Sequence, residues 1–162
     1  MGLRTNFEGI LPELKAVPNW VLADTAKAPR QSDGRLASVT NPQTWARFDQ
    51  VRASFDPTTH LGVGFVIDGK PHFQGKFLHG FDWDHCITFG QIDPAVRTKL
   101  DEFGIERLEI SISGTGLRGF FLLDEVRPSR KTVIDGRSVE FYSNRRYLIT
   151  TGIALPGKEV LE

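Results

Sequence analysis

Asp82 and Asp84 stand two residues apart in Phe77-Leu78-His79-Gly80-Phe81-Asp82-Trp83-Asp84. Successive side chains of a β-strand point to opposite faces, so Phe77, Phe81 and Trp83 share one face and the two carboxylates share the other. Two carboxylates at that spacing repel unless a cation lies between them, and their hard oxygens suit Mg²⁺ or Mn²⁺ better than a soft metal. A D-x-D alone fits a solvated strand face or a turn as readily as a metal site. The apolar neighbours Phe81 and Trp83 favour the metal site. In Val139-Glu140-Phe141-Tyr142 the same alternation sets Glu140 apart from Val139 and Phe141, which makes it either a third carboxylate of such a site or an exposed strand acid.

A second constellation is Glu109-Ile110-Ser111-Ile112-Ser113-Gly114-Thr115-Gly116-Leu117-Arg118. Ile110, Ile112 and Leu117 are expected on a core face. If Thr115 and Gly116 form a two-residue turn, Ser113 and Arg118 lie across from each other on the opposite face. The Ser113 hydroxyl, the Gly114 backbone and the Arg118 guanidinium then suit phosphate oxygens. An ordinary glycine-containing hairpin with an exposed arginine is the plainer reading. His60, His72, His79 and His85 do not fall at zinc-ligand spacings with Cys86. Trp20, Trp45 and Trp83 read as core, though an exposed aromatic would stack on a base.

The elements that position these residues follow from pattern. A short opening helix precedes a strand over Pro18 to Ala23, and the polar segment from Asp24 to Thr40 reads as a loop. Asn41-Pro42 provides an N-cap and a first-turn proline for a helix carrying Trp45, Phe48, Val51, Arg52 and Phe55. Gly62 to Ile67 reads as a strand, and Asp68-Gly69 as a hairpin dipeptide leading to the strand Phe77 to Asp84, so Asp68 is expected in a turn. Asp93-Pro94 opens a helix with Val96, Leu100 and Phe103 on one side and Gly104 at its end. Arg107 to Ser113 pairs with Leu117 to Leu123, and Val139 to Ser143 and Tyr147 to Thr151 add two strands. Hairpins interspersed with helices predict an α+β domain.

The bulk numbers agree. At 162 residues, 40% hydrophobic and 25% charged, the chain suits one globular domain with one core. No apolar run approaches a membrane span, the first residues lack a secretory pattern, and one cysteine cannot form an internal disulfide, so a cytoplasmic protein is expected. A formal charge of zero argues against coating nucleic acid by charge alone. From Leu61 to Val126 acids outnumber bases ten to six, whereas Arg127, Arg130, Lys131, Arg137, Arg145 and Arg146 follow with only Asp135 and Glu140 among them. An acidic centre beside a basic stretch suits metal ions next to phosphates, and equally a solvated charged surface.

Taken together, the segments resemble the bifunctional primase-polymerase (PrimPol) domains of the archaeo-eukaryotic primase superfamily, of phage and plasmid type, from about Pro18 to Gly152. Asn19-Trp20-Val21 with Lys27-Ala28-Pro29 looks like the family's opening strand and Lys-x-Pro loop, and Asn41-Pro42-Gln43-Thr44-Trp45 like its first conserved helix. Phe81-Asp82-Trp83-Asp84-His85-Cys86 is similar to the first metal motif. Ser111-Ile112-Ser113-Gly114-Thr115-Gly116-Leu117 is similar to the second, and Val139-Glu140-Phe141-Tyr142-Ser143 with Arg146-Tyr147 and Thr150-Thr151-Gly152 to the third. The second motif usually ends in histidine, where this chain has Arg118.

The resemblance implies a mainly antiparallel sheet like that of an RNA-recognition motif, with packed helices, beside an N-terminal αβ unit, and an active site in the cleft between them. It implies a template-directed nucleotidyltransferase in which Asp82, Asp84 and Glu140 hold Mg²⁺ or Mn²⁺. Ser113, Gly114, Arg118 and Lys27 would bind nucleoside triphosphate, and the partners would be single-stranded or primed DNA. A helical priming domain or a helicase, common in relatives, is expected on a longer parent chain or a separate protein, because the residues after Gly152 suffice for neither. A catalytically degenerate nucleotide- or nucleic-acid-binding module is the main rival. A D-x-D glycosyltransferase fits less well, since it is more often longer and built on a parallel sheet.

Overall fold

The computed structural model describes residues 3–103, 105 and 107–155. The described residues form a mixed α+β fold with eleven strands in three antiparallel sheets. The strands are β1 (Trp20–Asp24), β2 (Pro29–Arg30), β3 (His60–Ile67), β4 (Phe77–Trp83), β5 (Ile87–Thr88), β6 (Gln91–Ile92), β7 (Arg107–Ile110), β8 (Leu117–Leu123), β9 (Arg130–Ile134), β10 (Arg137–Tyr142) and β11 (Arg146–Thr150). The helices are α1 (Pro12–Lys15), α2 (Phe48–Ser54) and α3 (Pro94–Phe103). One sheet runs β11-β3-β1-β2, a second runs β7-β8-β4-β10-β9, and β5 and β6 form a small hairpin.

Alternation on β4 decides what each face of the second sheet does. Phe81 and Trp83 are fully buried against Val96 and Leu100 of α3, as the apolar spacing of that helix predicts. On the other face Leu78 joins Phe120 and Tyr142 in a core shared with Trp20, Phe65 and Ile67 of the first sheet and Phe48 and Val51 of α2. The two sheets approach closely here: a Cβ on Gly80 would lie 2.5 Å from Leu148 Cδ1 and 2.9 Å from Ile67 Cδ1. The candidate site lies on this second face.

Several expectations change. The dipeptide Asp68-Gly69 does not join a hairpin, because β3 is flanked by β1 and β11 and β4 belongs to the other sheet. Asp68 is still a turn residue, accepting from the Lys70 N–H at 3.0 Å and the Asn19 amide at 3.0 Å. The hairpin dipeptide is Asp135-Gly136, where both residues have positive φ (53° and 75°) and turn β9 into β10, a strand pair whose first member the apolar pattern did not reveal.

Asn41-Pro42 caps only a 3-10 turn (Pro42–Thr44). Ala46 exchanges two 2.9 Å backbone hydrogen bonds with Trp20, which holds the chain extended until α2 starts at Phe48. The segment from Asp24 to Thr40 holds the short strand β2 rather than loop alone. Gly104, expected at the end of α3, lies outside the described residues.

The β7–β8 connection is also longer than expected. Ile110 pairs with Leu117, so residues 111–116 form a six-residue loop and Arg118 faces Glu109, not Ser113. The Ser111 N–H bonds the Gly116 carbonyl at 2.9 Å, and Ser111 Oγ accepts the Gly116 N–H at 3.1 Å, which closes the loop early. Ile112 accordingly leaves the face of Ile110 and Leu117 and packs with Ala23 and Ile149.

Candidate metal and nucleotide site

The register of the second sheet sets one row of charged residues across five strands. Glu109 on β7 faces Arg118 on β8, Arg118 faces Asp82 on β4, Asp82 faces Glu140 on β10, and Glu140 faces Lys131 on β9. Directly opposed residues on adjacent strands project to the same face, with Cβ atoms about 4.5–5.5 Å apart. Asp84 follows just past the end of β4, where its N–H bonds the Ser138 carbonyl at 3.0 Å, so the D-x-D and Glu140 share one end of the β4–β10 pair.

Side-chain contacts show how the row is balanced. Arg118 Nε donates to Asp82 Oδ1 at 3.2 Å, and Nη1 donates to the Ile149 carbonyl of β11 at 2.7 Å. The Arg118 side chain is 10% exposed and that of Asp82 25% exposed. Arg146 Nη1 reaches Glu140 Oε2 at 3.0 Å, and Lys131 Nζ stands 3.9 Å from Oε1. The Arg146 guanidinium also covers the ring of the buried Tyr142, 4.6 Å from its centroid. Burial raises the Asp82 carboxyl above its ordinary range; Arg118 opposes this shift, and the charges of Asp84 and Glu140 add to it.

Among the described residues no group of three or more His, Cys, Asp and Glu side chains is placed to hold a metal ion. Asp82 is turned to Arg118, and Glu140 to Arg146 and Lys131. The donor set nonetheless fits a hard divalent cation. Its three candidates are all carboxylates, and two of them raise the pKa of the third, a repulsion that a cation would relieve. Cys86 is no competitor as a ligand, since burial pushes its thiol up to about 12.

The other predicted residues surround this row unevenly. The loop holding Ser113 and Gly114 abuts the chain just after Asp84, where the Thr115 carbonyl accepts from Cys86 N–H at 3.0 Å and Ile87 N–H at 3.1 Å. Ser113 is exposed, and its hydroxyl lies 3.0 Å from that of Ser111 and 3.1 Å from that of Thr115. Lys27 is exposed with φ of 65°, and its carbonyl accepts the Tyr147 hydroxyl. Burial pushes that hydroxyl up to about 12, with the charges of Arg118 and Asp24 acting on it in opposite senses. Arg118 itself is committed to internal partners, unlike the exposed hairpin arginine of the plainer reading.

Glu109 was missed. It is buried, and its two oxygens accept the Thr151 N–H at 2.7 Å and the Gly152 N–H at 3.0 Å. Burial lifts its carboxyl to about 7, against those two donors and Arg118. Its position opposite Arg118 becomes visible only with the six-residue loop. A cavity of about 590 Å³ opens on the α3 side of the sheet among His79, Phe103, Phe121, Arg130 and Phe141. None of the carboxylates in the row lines it, so the row and not the cavity is the candidate centre.

No family model matches the chain. The chain is similar to a DNA primase-polymerase. Over 166 aligned residues it is 29% identical to the DNA primase-polymerase of Nitratiruptor phage NrS-1, covering 92% of this chain and 21% of that relative. The chain thus spans about a fifth of the length of the curated relative it matches. Among the described residues no helix is long and apolar enough to cross a membrane.

Proposed function

We propose that this chain is the nucleotidyl-transfer core of a DNA primase-polymerase, built on an archaeo-eukaryotic primase fold in which the five-stranded sheet is the RNA-recognition-motif-like unit. The observation that carries this reading is the direct pairing of Asp82 with Glu140, with Asp84 two residues on. Similarity to a phage DNA primase-polymerase along nearly the whole chain supports it.

Asp82, Asp84 and Glu140 would hold Mg²⁺ or Mn²⁺. Such ions, when bound, lower the pKa of a primer 3′-hydroxyl and neutralise the triphosphate and its pyrophosphate leaving group. The chain's own residues have separable tasks. Asp82, whose side chain is only 25% exposed, would give up the Arg118 contact to bind the ion. Arg146 and Lys131 keep positive charge beside Glu140, where they can meet phosphate oxygens of nucleotide or template. The Ser113 hydroxyl borders the Asp84 end of the row and can donate to triphosphate oxygens, while Gly114, whose N–H is held by the Ser111 carbonyl at 2.9 Å, turns the loop that presents it. Lys27, on its exposed turn, supplies a further cation.

A second reading is a degenerate primase-fold module that binds nucleotide or nucleic acid without catalysis. The Arg118–Asp82 ion pair favours it, because a resident guanidinium competes with a metal for that carboxylate. Extension of a primed DNA template with Mg²⁺ or Mn²⁺ separates the two. Incorporation by the wild type that disappears in Asp84→Ala supports the enzyme. Nucleotide binding with no incorporation supports the module.

A further inference from the structure

Arg118 stands between two acids on adjacent strands. Asp82 lies directly across β4 from it, and Glu109 directly across β7. The guanidinium spends one nitrogen on Asp82 and another on the Ile149 carbonyl, while Glu109 occupies itself with the Thr151 and Gly152 amides that follow the same strand, β11. Arg118 and Glu109 therefore grip one continuous stretch of backbone, residues 149–152, from adjacent strands. Both side chains are buried, so each is exposed to the other's charge with little water to screen it.

We propose that Glu109 is a positioning residue for the acidic site: it is the second counter-ion of Arg118, and by sharing that guanidinium it leaves Asp82 able to receive a divalent cation. The inference rests on reading the carboxylates as a cation site. A buried guanidinium left with one carboxylate holds it tightly, since separating the pair would strand a charge in a poorly solvated place. With an acid on each side, Arg118 can release Asp82 and remain neutralised. The backbone clamp adds aim, because Ile149, whose carbonyl fixes Nη1, is held two residues from the Thr151 amide that Glu109 anchors.

Mn²⁺ titration of the whole chain at pH 8, followed by the electron paramagnetic resonance of free Mn²⁺ and in parallel by calorimetry, tests this without reference to turnover. Glu109→Gln keeps the side-chain shape and removes the charge, but its amide can accept only one of the Thr151 and Gly152 N–H groups, so its thermal midpoint is measured beside the titration. This variant should weaken Mn²⁺ binding about five- to tenfold, and Glu109→Asp should restore part of that loss although it too disturbs the clamp. In an Arg118→Gln background the same Glu109→Gln change should cost less than twofold, since no guanidinium is left to share. Equal Mn²⁺ affinity in wild type and Glu109→Gln would overturn the proposal. So would a loss that persists unchanged without Arg118, which would be a long-range field effect. If the wild type binds no Mn²⁺, or if Asp84→Ala binds it as well as wild type does, the reading of the acidic site itself fails, and the proposal with it.

Discussion

Glu140 lies directly across the β4–β10 strand pair from Asp82, although 57 positions separate them in the chain. The juxtaposition sets two carboxylates side by side on a partly buried sheet face, where Asp84 adds a third negative charge. Each is held in check by a cation: Asp82 by Arg118, Glu140 by Arg146 and Lys131.

Removal of the acids should separate activity from stability in a residue-specific way. Asp84 is exposed, so Asp84→Ala should abolish metal-dependent incorporation with a thermal midpoint close to wild type. Asp82→Asn should do the same while still accepting from Arg118. Asp82→Ala should cost more in stability, about 1–3 kcal/mol, because it deprives a buried guanidinium of an acceptor. Primer extension and differential scanning calorimetry on the three variants check this, and undiminished extension by Asp84→Ala would remove that residue from the site.

Arg118 should behave as a structural cation first. Arg118→Ala leaves Asp82 without its ion-pair partner, removes the positive charge facing Glu109 and frees the Ile149 carbonyl, so a loss of about 3–5 kcal/mol is expected from chemical denaturation. Arg118→Lys keeps the charge without the planar fork and should fall between Ala and Arg. A midpoint unchanged in Arg118→Ala would show that the pair contributes nothing to the fold.

Glu109 should make stability depend on pH. Its carboxyl, lifted to about 7 in the folded protein, binds its proton more tightly than the unfolded chain does. Its contribution to stability is therefore complete below the unfolded value, near 4.5, and is lost as pH rises through about 7. The raised Asp82 carboxyl acts in the same sense. Between about pH 5 and pH 8 the wild type should lose on the order of 3 kcal/mol relative to Glu109→Gln. Urea midpoints of both proteins across that range give the difference directly, and parallel curves would refute it.

Gly119 should not tolerate a side chain. A Cβ there would meet Phe81 Cε1 at 1.9 Å and Cζ at 2.6 Å, and Phe81 is fully buried beside Asp82. Gly119→Ala should destabilise by about 1–3 kcal/mol through overpacking. Because Phe81 points away from the carboxylate face, Mn²⁺ affinity of the folded fraction should change little, which the titration described for Glu109 would show.

Local pattern in the sequence determined a good part of this protein. Alternation separated Asp82 and Asp84 from Phe81 and Trp83, and the spacing of Val96 and Leu100 marked the buried side of α3, because both are periodicities of a single element that need no knowledge of partners. Partners were what the tertiary structure decided. Asp68-Gly69 and Asp135-Gly136 are the same dipeptide, yet only the second turns a hairpin, since the flanks of β3 are already taken by β1 and β11. The length of the β7–β8 loop, fixed by hydrogen bonds between Ser111 and Gly116, moved Arg118 from Ser113 to Glu109. A shift of register changes every cross-strand neighbour while leaving each strand's own alternation intact, so the sequence could name the acids of the row but not which charge each would face.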